Sequence, residues 1–294
     1  MGRGHQLSVA NPSILVRFAV PGGGGLASRA WKLALAVSVL SGAGCYRATT
    51  APAPAEATGR VVLPPGYDPS RTYPVVEILP PTGNTAEALL QIYLSRVGLG
   101  RLYREDPERQ IAALLPYLVP DAGADHPTPP VFILASGRGN AADYRTAAAW
   151  SRTIARYEQQ VRADLRAVAA RHRVDTSRFV VAGFSMGGDL AWALTLRNPD
   201  LLHGAIVMAS RASYRPSDAG AAAPALRRAR FFLTMGAADD PTRRRLALAA
   251  AALLERLGVA HEFRMIEGAG HEPAPVATFA EALRYVLRRD GGGE

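Results

Sequence analysis

The sequence predicts an α/β fold, a mostly parallel central sheet with helices on both faces. Three observations carry that expectation. Short β-branched or apolar runs recur at residues 60–63, 73–79, 131–135, 179–182, 205–208, 231–234 and 262–266. Longer stretches with helical spacing lie between them, and such alternation builds βαβ units around a parallel sheet. One run ends in a Gly-rich turn, 183–188, that opens directly into a helical pattern.

Each element follows from its own residues. The second run, Tyr73 to Leu79, leads into Pro80-Pro81, which have no N–H to donate. Residues 154–171 repeat apolar groups near every 3.6 positions with arginines opposite, the pattern of an amphipathic helix. Residues 190–196, 246–257 and 276–287 read as helices in the same way. The active sites of such sheets lie at the carboxyl ends of the strands, so the residues just after each strand are the ones to search.

The 294 residues divide into three parts: a leader over 1–44, a tether over 45–58 and one domain over 59–294. In the leader, Arg29 and Lys32 precede a short apolar run, 33–40, and the small residues Ser41-Gly42-Ala43-Gly44 precede Cys45, the only cysteine in the chain. A charged region, a short apolar region and a small-residue cleavage site make an export signal rather than a membrane span, which needs about 20 apolar residues. With cysteine at the cleavage point it resembles a bacterial lipoprotein signal, Gly42 standing where that pattern carries an aliphatic residue. The resemblance implies lipid on Cys45 and a cell-envelope location, with membrane contact only through that anchor. Residues 46–58 are mainly Ala, Thr and Pro, too poor in large apolar groups to pack.

The net charge of +9 and pI near 10.2 do not point to nucleic acid. Lys32 is the only lysine, the arginines are dispersed, and no basic stripe is interleaved with aromatic residues. A lone cysteine excludes an internal disulfide and a thiolate metal cluster, and no His/Asp/Glu group has ligand spacing. The oligomeric state is not legible.

The chemistry is concentrated where Phe179-Val180-Val181-Ala182 runs into Gly183-Phe184-Ser185-Met186-Gly187-Gly188. This is Gly-x-Ser-x-Gly in its required setting, strand, sharp turn, helix, with Ser185 as the candidate nucleophile. Side chains at 183 and 187 would collide with neighbouring backbone, and the helix N-terminus favours developing negative charge. A serine needs a base within reach. Of the six histidines, His5 lies in the leader, His126 in a Pro-rich loop, His172 and His203 at helix ends, and His261 at the opening of a strand. His271 alone follows the last strand through Gly268-Ala269-Gly270 and precedes the last helix. The carboxylate that orients it is expected after the strand 231–234, where Asp239 is the first candidate and Asp240 the alternative; one can cap the next helix while the other faces His271. The oxyanion donors are expected to be the N–H groups of Met186 and of Thr82, the first residue after Pro80-Pro81 that has one.

Together, the 63–76 segment, the 174–178 lead-in to GFSMGG, and the order Ser185, Asp239, His271 resemble the α/β-hydrolase superfamily, in particular the carboxylesterase and feruloyl-esterase-like serine hydrolases. The resemblance implies the α/β-hydrolase fold, an acyl-enzyme on Ser185, a small-molecule ester as substrate, and no cofactor. Pro80-Pro81 replaces the usual His-Gly of the oxyanion loop. A thioesterase, lactonase or peptidase using the same triad stays open, as does a non-catalytic, lipid-anchored binding protein on the same fold. Too few residues separate 208 from 231 to build a large cap domain. With Arg138 and Asn140 after one strand and Arg211 and Tyr214 after another, an open, partly polar cleft for short-chain or aromatic-acid esters is expected.

Overall fold

The computed structural model describes residues 59–119, 128–216 and 224–288, all within the compact unit Thr50–Glu294. The expected leader, the Cys45 anchor and the tether lie outside the described residues, as does His126. Seven strands form one sheet: β1 Arg60–Val62, β2 Tyr73–Leu79, β3 Val131–Leu134, β4 Val174–Phe184, β5 Gly204–Met208, β6 Arg230–Gly236 and β7 Ala260–Ile266. Their order is β1-β3-β2-β4-β5-β6-β7, with β1 antiparallel to β3 and every other pair parallel. The expected fold class is met, and among the described residues no large cap domain stands on the carboxyl edge.

Side chains alternate across the sheet and seed two cores. In β4, Phe179 and Val181 face a cluster shared with α3 (Ala147–Arg171), α4 (Met186–Arg197) and α5 (Pro241–Leu257). Val180 and Ala182 face the opposite cluster, shared with α1 (Glu87–Arg96), α2 (Pro107–Leu118) and α6 (Val276–Val286). Helix ends follow local chemistry: the Thr146 hydroxyl accepts from the Ala149 N–H to open α3, Asp106 precedes Pro107 at the start of α2, and Gly258 closes α5 at φ +64°.

β4 starts earlier than its apolar run. Residues Val174 to Arg178 continue the strand although Asp175, Thr176 and Ser177 are polar, because this stretch lies at the sheet's amino edge and leaves its polar side chains accessible. Helices α1 and α2 went unread in the sequence; Leu89, Leu90, Tyr93, Leu94, Ile111 and Leu114 from them are buried in the second core.

One residue breaks the apolar pattern of β2. Glu77 is fully buried, and its carboxyl is pushed well above the ordinary range, first by burial and then by the neighbouring charge of Asp164 in α3. Asp164 also accepts the Gly59 N–H at 3.0 Å, so a proton on Glu77 turns two acceptors into a donor and an acceptor. An unfolded glutamate releases its proton near pH 4.3, about the ordinary value. The folded chain holds it to higher pH, so unfolding releases a proton and stability falls as pH rises above that value toward the folded pKa. Glu77→Gln, which cannot ionise and can still donate to Asp164, is expected to raise Tm at neutral and mildly alkaline pH and to flatten its decline with pH. A wild-type slope retained in the variant, measured by thermal melts from acid to alkaline buffer, would contradict this.

Candidate active site

The carboxyl edge of the sheet carries Ser185, Asp239 and His271. Ser185 sits between β4 and α4 at φ +57° and ψ −116°, a backbone region that non-glycine residues rarely occupy and that persists only under constraint. Its N–H donates to the Met208 carbonyl at 2.9 Å, tying the turn to β5. The flanking glycines leave no choice of residue. A Cβ on Gly183 would stand 2.2 Å from the carbonyl carbon of Gly187, and one on Gly187 would stand 2.4 Å from the carbonyl oxygen of Leu79.

His271 reaches this serine across 86 residues of sequence, and Asp239 reaches His271 across 32. His271 Nε2 lies 3.0 Å from Ser185 Oγ, and its Nδ1 lies 2.9 Å from Asp239 Oδ2. The geometry fixes the tautomer: Nδ1–H donates to the carboxylate, leaving Nε2 to accept from the serine hydroxyl. The Asp239 side chain is only 2% exposed, and its second oxygen accepts the Asp240 N–H at 2.6 Å. Asp240 does something else. Its Oδ1 accepts the N–H groups of Thr242 and Arg243 at 2.9 and 3.1 Å and caps α5. The adjacent acids thus divide the two tasks between them.

Two features missed in the sequence hold the histidine loop. Gly236, at the end of β6, lets residues 269 and 270 approach, since a Cβ there would stand 2.2 Å from the Gly270 oxygen. The Ala238 N–H then donates to the Ala269 carbonyl at 2.9 Å, joining the acid loop to the histidine loop. From the opposite side, Arg96 at the end of α1 donates to the Pro273 and Ala274 carbonyls, both at 2.8 Å, and to Glu272 at 2.5 Å. Phe184 packs its ring 5.1 Å from that of His271. The other histidines are occupied differently: His172 meets Tyr67 edge-on, and His261 Nδ1 faces the Val259 carbonyl.

Met186 opens α4, so its N–H lacks an acceptor within the helix. Thr82 forms a parallel bridge with Gly139, in which Gly83 donates to the Gly139 carbonyl at 2.8 Å, leaving the Thr82 N–H out of the pairing. A Cβ on Gly139 would stand 2.3 Å from the Pro81 oxygen, so the two loops touch closely. Arg138, expected at the substrate, donates to the Gly83 carbonyl at 2.5 Å and braces this loop. The Asn140 side chain caps a short 3-10 helix, Ala141–Tyr144. Tyr214, also expected at the substrate, accepts through its carbonyl from Trp192, and its ring lies 6.0 Å from the Arg197 guanidinium at the far end of α4. Two residues earlier, at Ala212, the chain turns through φ +44°. Arg211 lies over the ring of Tyr144.

Sequence reasoning passed over Asp189 altogether. It lies in the first turn of α4, buried, and its carboxylate accepts from the Tyr144 hydroxyl, the Ser210 hydroxyl and the Ala212 N–H. Burial, and then the Asp189 charge, push the Tyr144 hydroxyl above its ordinary pKa, so it remains a donor. Among the described residues no group of three or more His, Cys, Asp or Glu side chains is placed to hold a metal ion.

The Esterase family model, described as "Putative esterase", matches residues 51–281. No curated protein matches the chain. Among solved structures, the chain is similar to a ferulic acid esterase from Anaeromyces mucronatus determined without substrate, at 14% identity and a TM-score of 0.55, covering 77% of this chain and 83% of that one. The same esterase in complex with ferulic acid aligns at 14% identity and a TM-score of 0.51, over 77% of this chain and 82% of that one. At such identities the likeness establishes the α/β-hydrolase fold.

Proposed function

The chain belongs to the Esterase family and is an ester-hydrolysing enzyme, and we propose that it works through an acyl-enzyme on Ser185. The observation that carries this reading is the unbroken line from Ser185 Oγ through the His271 imidazole to Asp239, at 3.0 and 2.9 Å. Ser185 Oγ attacks the ester carbonyl carbon while its proton passes to His271 Nε2. The tetrahedral oxyanion is held by the N–H groups of Met186 and Thr82. As the carbon–oxygen bond to the alcohol breaks, His271 returns the proton to the leaving oxygen. Water then enters, gives its proton to His271, and releases the acid and a free serine. Asp239 fixes the tautomer and balances the imidazolium charge at each stage.

In this reading the substrate is a short-chain or aromatic-acid ester. Its support is that no large cap is present among the described residues and that Tyr144, Arg211 and Arg243 gather beside Asp189, in the first turn of the helix that the elbow opens. Stopped-flow hydrolysis of 4-nitrophenyl esters from acetate to palmitate tests both parts. A burst of nitrophenol approaching one equivalent and a kcat/KM that falls with chain length are expected. A maximum at palmitate, or a rate jump at micelle formation, would overturn the short-chain reading, and the absence of any turnover would overturn the mechanism.

A further inference from the structure

Directly after β5 the chain passes through Ala209, Ser210, Arg211 and Ala212, and both alanines have positive φ, +45° and +44°. Outside glycine such a conformation is strained and persists only where the surroundings over-determine it. The group that enforces it is Asp189. One carboxylate oxygen accepts from the Ser210 hydroxyl at 2.7 Å and the Ala212 N–H at 2.9 Å, and the other accepts from the Tyr144 hydroxyl at 2.5 Å. The Asp189 N–H donates to the Ser185 carbonyl at 3.0 Å, so this anchor stands one helical turn from the elbow.

Arg211 is the residue held between the two anchor points. Its guanidinium carbon lies 5.0 Å from the centroid of the Tyr144 ring, which stacks on Trp150 with centroids 4.7 Å apart. The aromatic face fixes the direction of the guanidinium, yet no carboxylate among the described residues pairs with it. A second cation, Arg243, stands in the first turn of α5, 3.9 Å from Asp239, and both arginines act on the Tyr144 hydroxyl. Asp189 does not compete for Arg211, because it is buried and already accepts from three donors. Strain on both sides of one cation, held by an anchor one helical turn from the elbow, is costly to maintain for packing alone.

We propose that Arg211 recognises an anionic group on the substrate, so that the preferred esters carry a carboxylate a few bonds from the scissile carbonyl. This rests on the serine-esterase reading and deepens it. The planar guanidinium offers a carboxylate two parallel N–H donors, and the Tyr144–Trp150 face lies alongside for the apolar part of the molecule.

The test compares 4-nitrophenyl hemiglutarate with neutral 4-nitrophenyl valerate on the full chain and on Arg211→Gln and Arg211→Lys. Hydrogen bonds to charged groups are worth about 1.5–3 kcal/mol, so a hemiglutarate preference of roughly tenfold or more in kcat/KM is expected. That ratio should fall to about one in Arg211→Gln, recover in part in Arg211→Lys, and shrink with added salt. A wild-type ratio at or below one, or a ratio unchanged in Arg211→Gln, would overturn the inference. Turnover of valerate reports separately on the serine-esterase reading. Should neither ester be hydrolysed, equilibrium binding to the Ser185→Ala chain decides the point: tighter binding of hemiglutarate that is lost with Arg211→Gln supports the anion site, and equal binding of the two esters overturns it.

Discussion

Ser185→Ala is expected to lower kcat on nitrophenyl esters by about six orders of magnitude, the size found when the nucleophile of other Ser-His-Asp hydrolases is removed. The side chain does little for the fold. Ser185 is 8% exposed, its Oγ bonds to His271, and the bond that ties the elbow to β5 comes from its backbone N–H. Alanine meets the same strain at φ +57° as serine does, so the turn keeps its constraint. Tm should therefore stay close to that of the wild type. The residual rate should still exceed that in water, because the Met186 and Thr82 N–H groups and the cleft remain. A variant that keeps more than about one per cent of turnover, far above the loss expected, would move the nucleophile elsewhere.

The second large effect is expected at Asp239. Asp239→Asn should lower kcat by roughly 10⁴ at near-constant stability, because an amide can present its N–H₂ to His271 Nδ1 and stabilise the wrong tautomer. The flip is favoured here. The oxygen that would remain has a ready donor in the Asp240 N–H, now 2.6 Å from the carboxylate, and so the amide nitrogen turns toward the ring. Asp240→Asn should change kcat only a few-fold, since asparagine caps a helix about as well as aspartate and the Asp240 carboxylate faces Thr242 and Arg243 rather than the histidine. Steady-state kinetics on both variants, with melts as a control, decide the matter. The reverse ranking would give the orienting role to Asp240.

What could be read from the sequence was what local sterics dictate. The elbow glycines were legible because their closest contacts lie within the turn or with the adjoining strand, Gly183 against Gly187 and Gly187 against Leu79. His271 was legible because a Gly-Ala-Gly loop after the last strand can reach the carboxyl edge. Between Asp239 and Asp240 the sequence put Asp239 first but left Asp240 open: both precede a Pro-initiated helix, and only the loop's path decides which one caps it. Long-range partners left no local mark. Arg96 is 176 residues from Glu272, and its clamp on the histidine loop depends on α1 packing beside α6 across one face of the sheet. Asp189 was hidden for another reason. An acid in a helix's first turn is ordinary on electrostatic grounds, so nothing in the sequence marks this one as a buried junction of three donors.

Covalent trapping tests the central claim most directly. The intact chain is treated with a fluorophosphonate, digested, and mapped by mass spectrometry for the phosphonylated residue. The account predicts one adduct, on Ser185 in the peptide that spans GFSMGG, and its loss in Ser185→Ala. An adduct on any other serine, or labelling that persists in the variant, would contradict it.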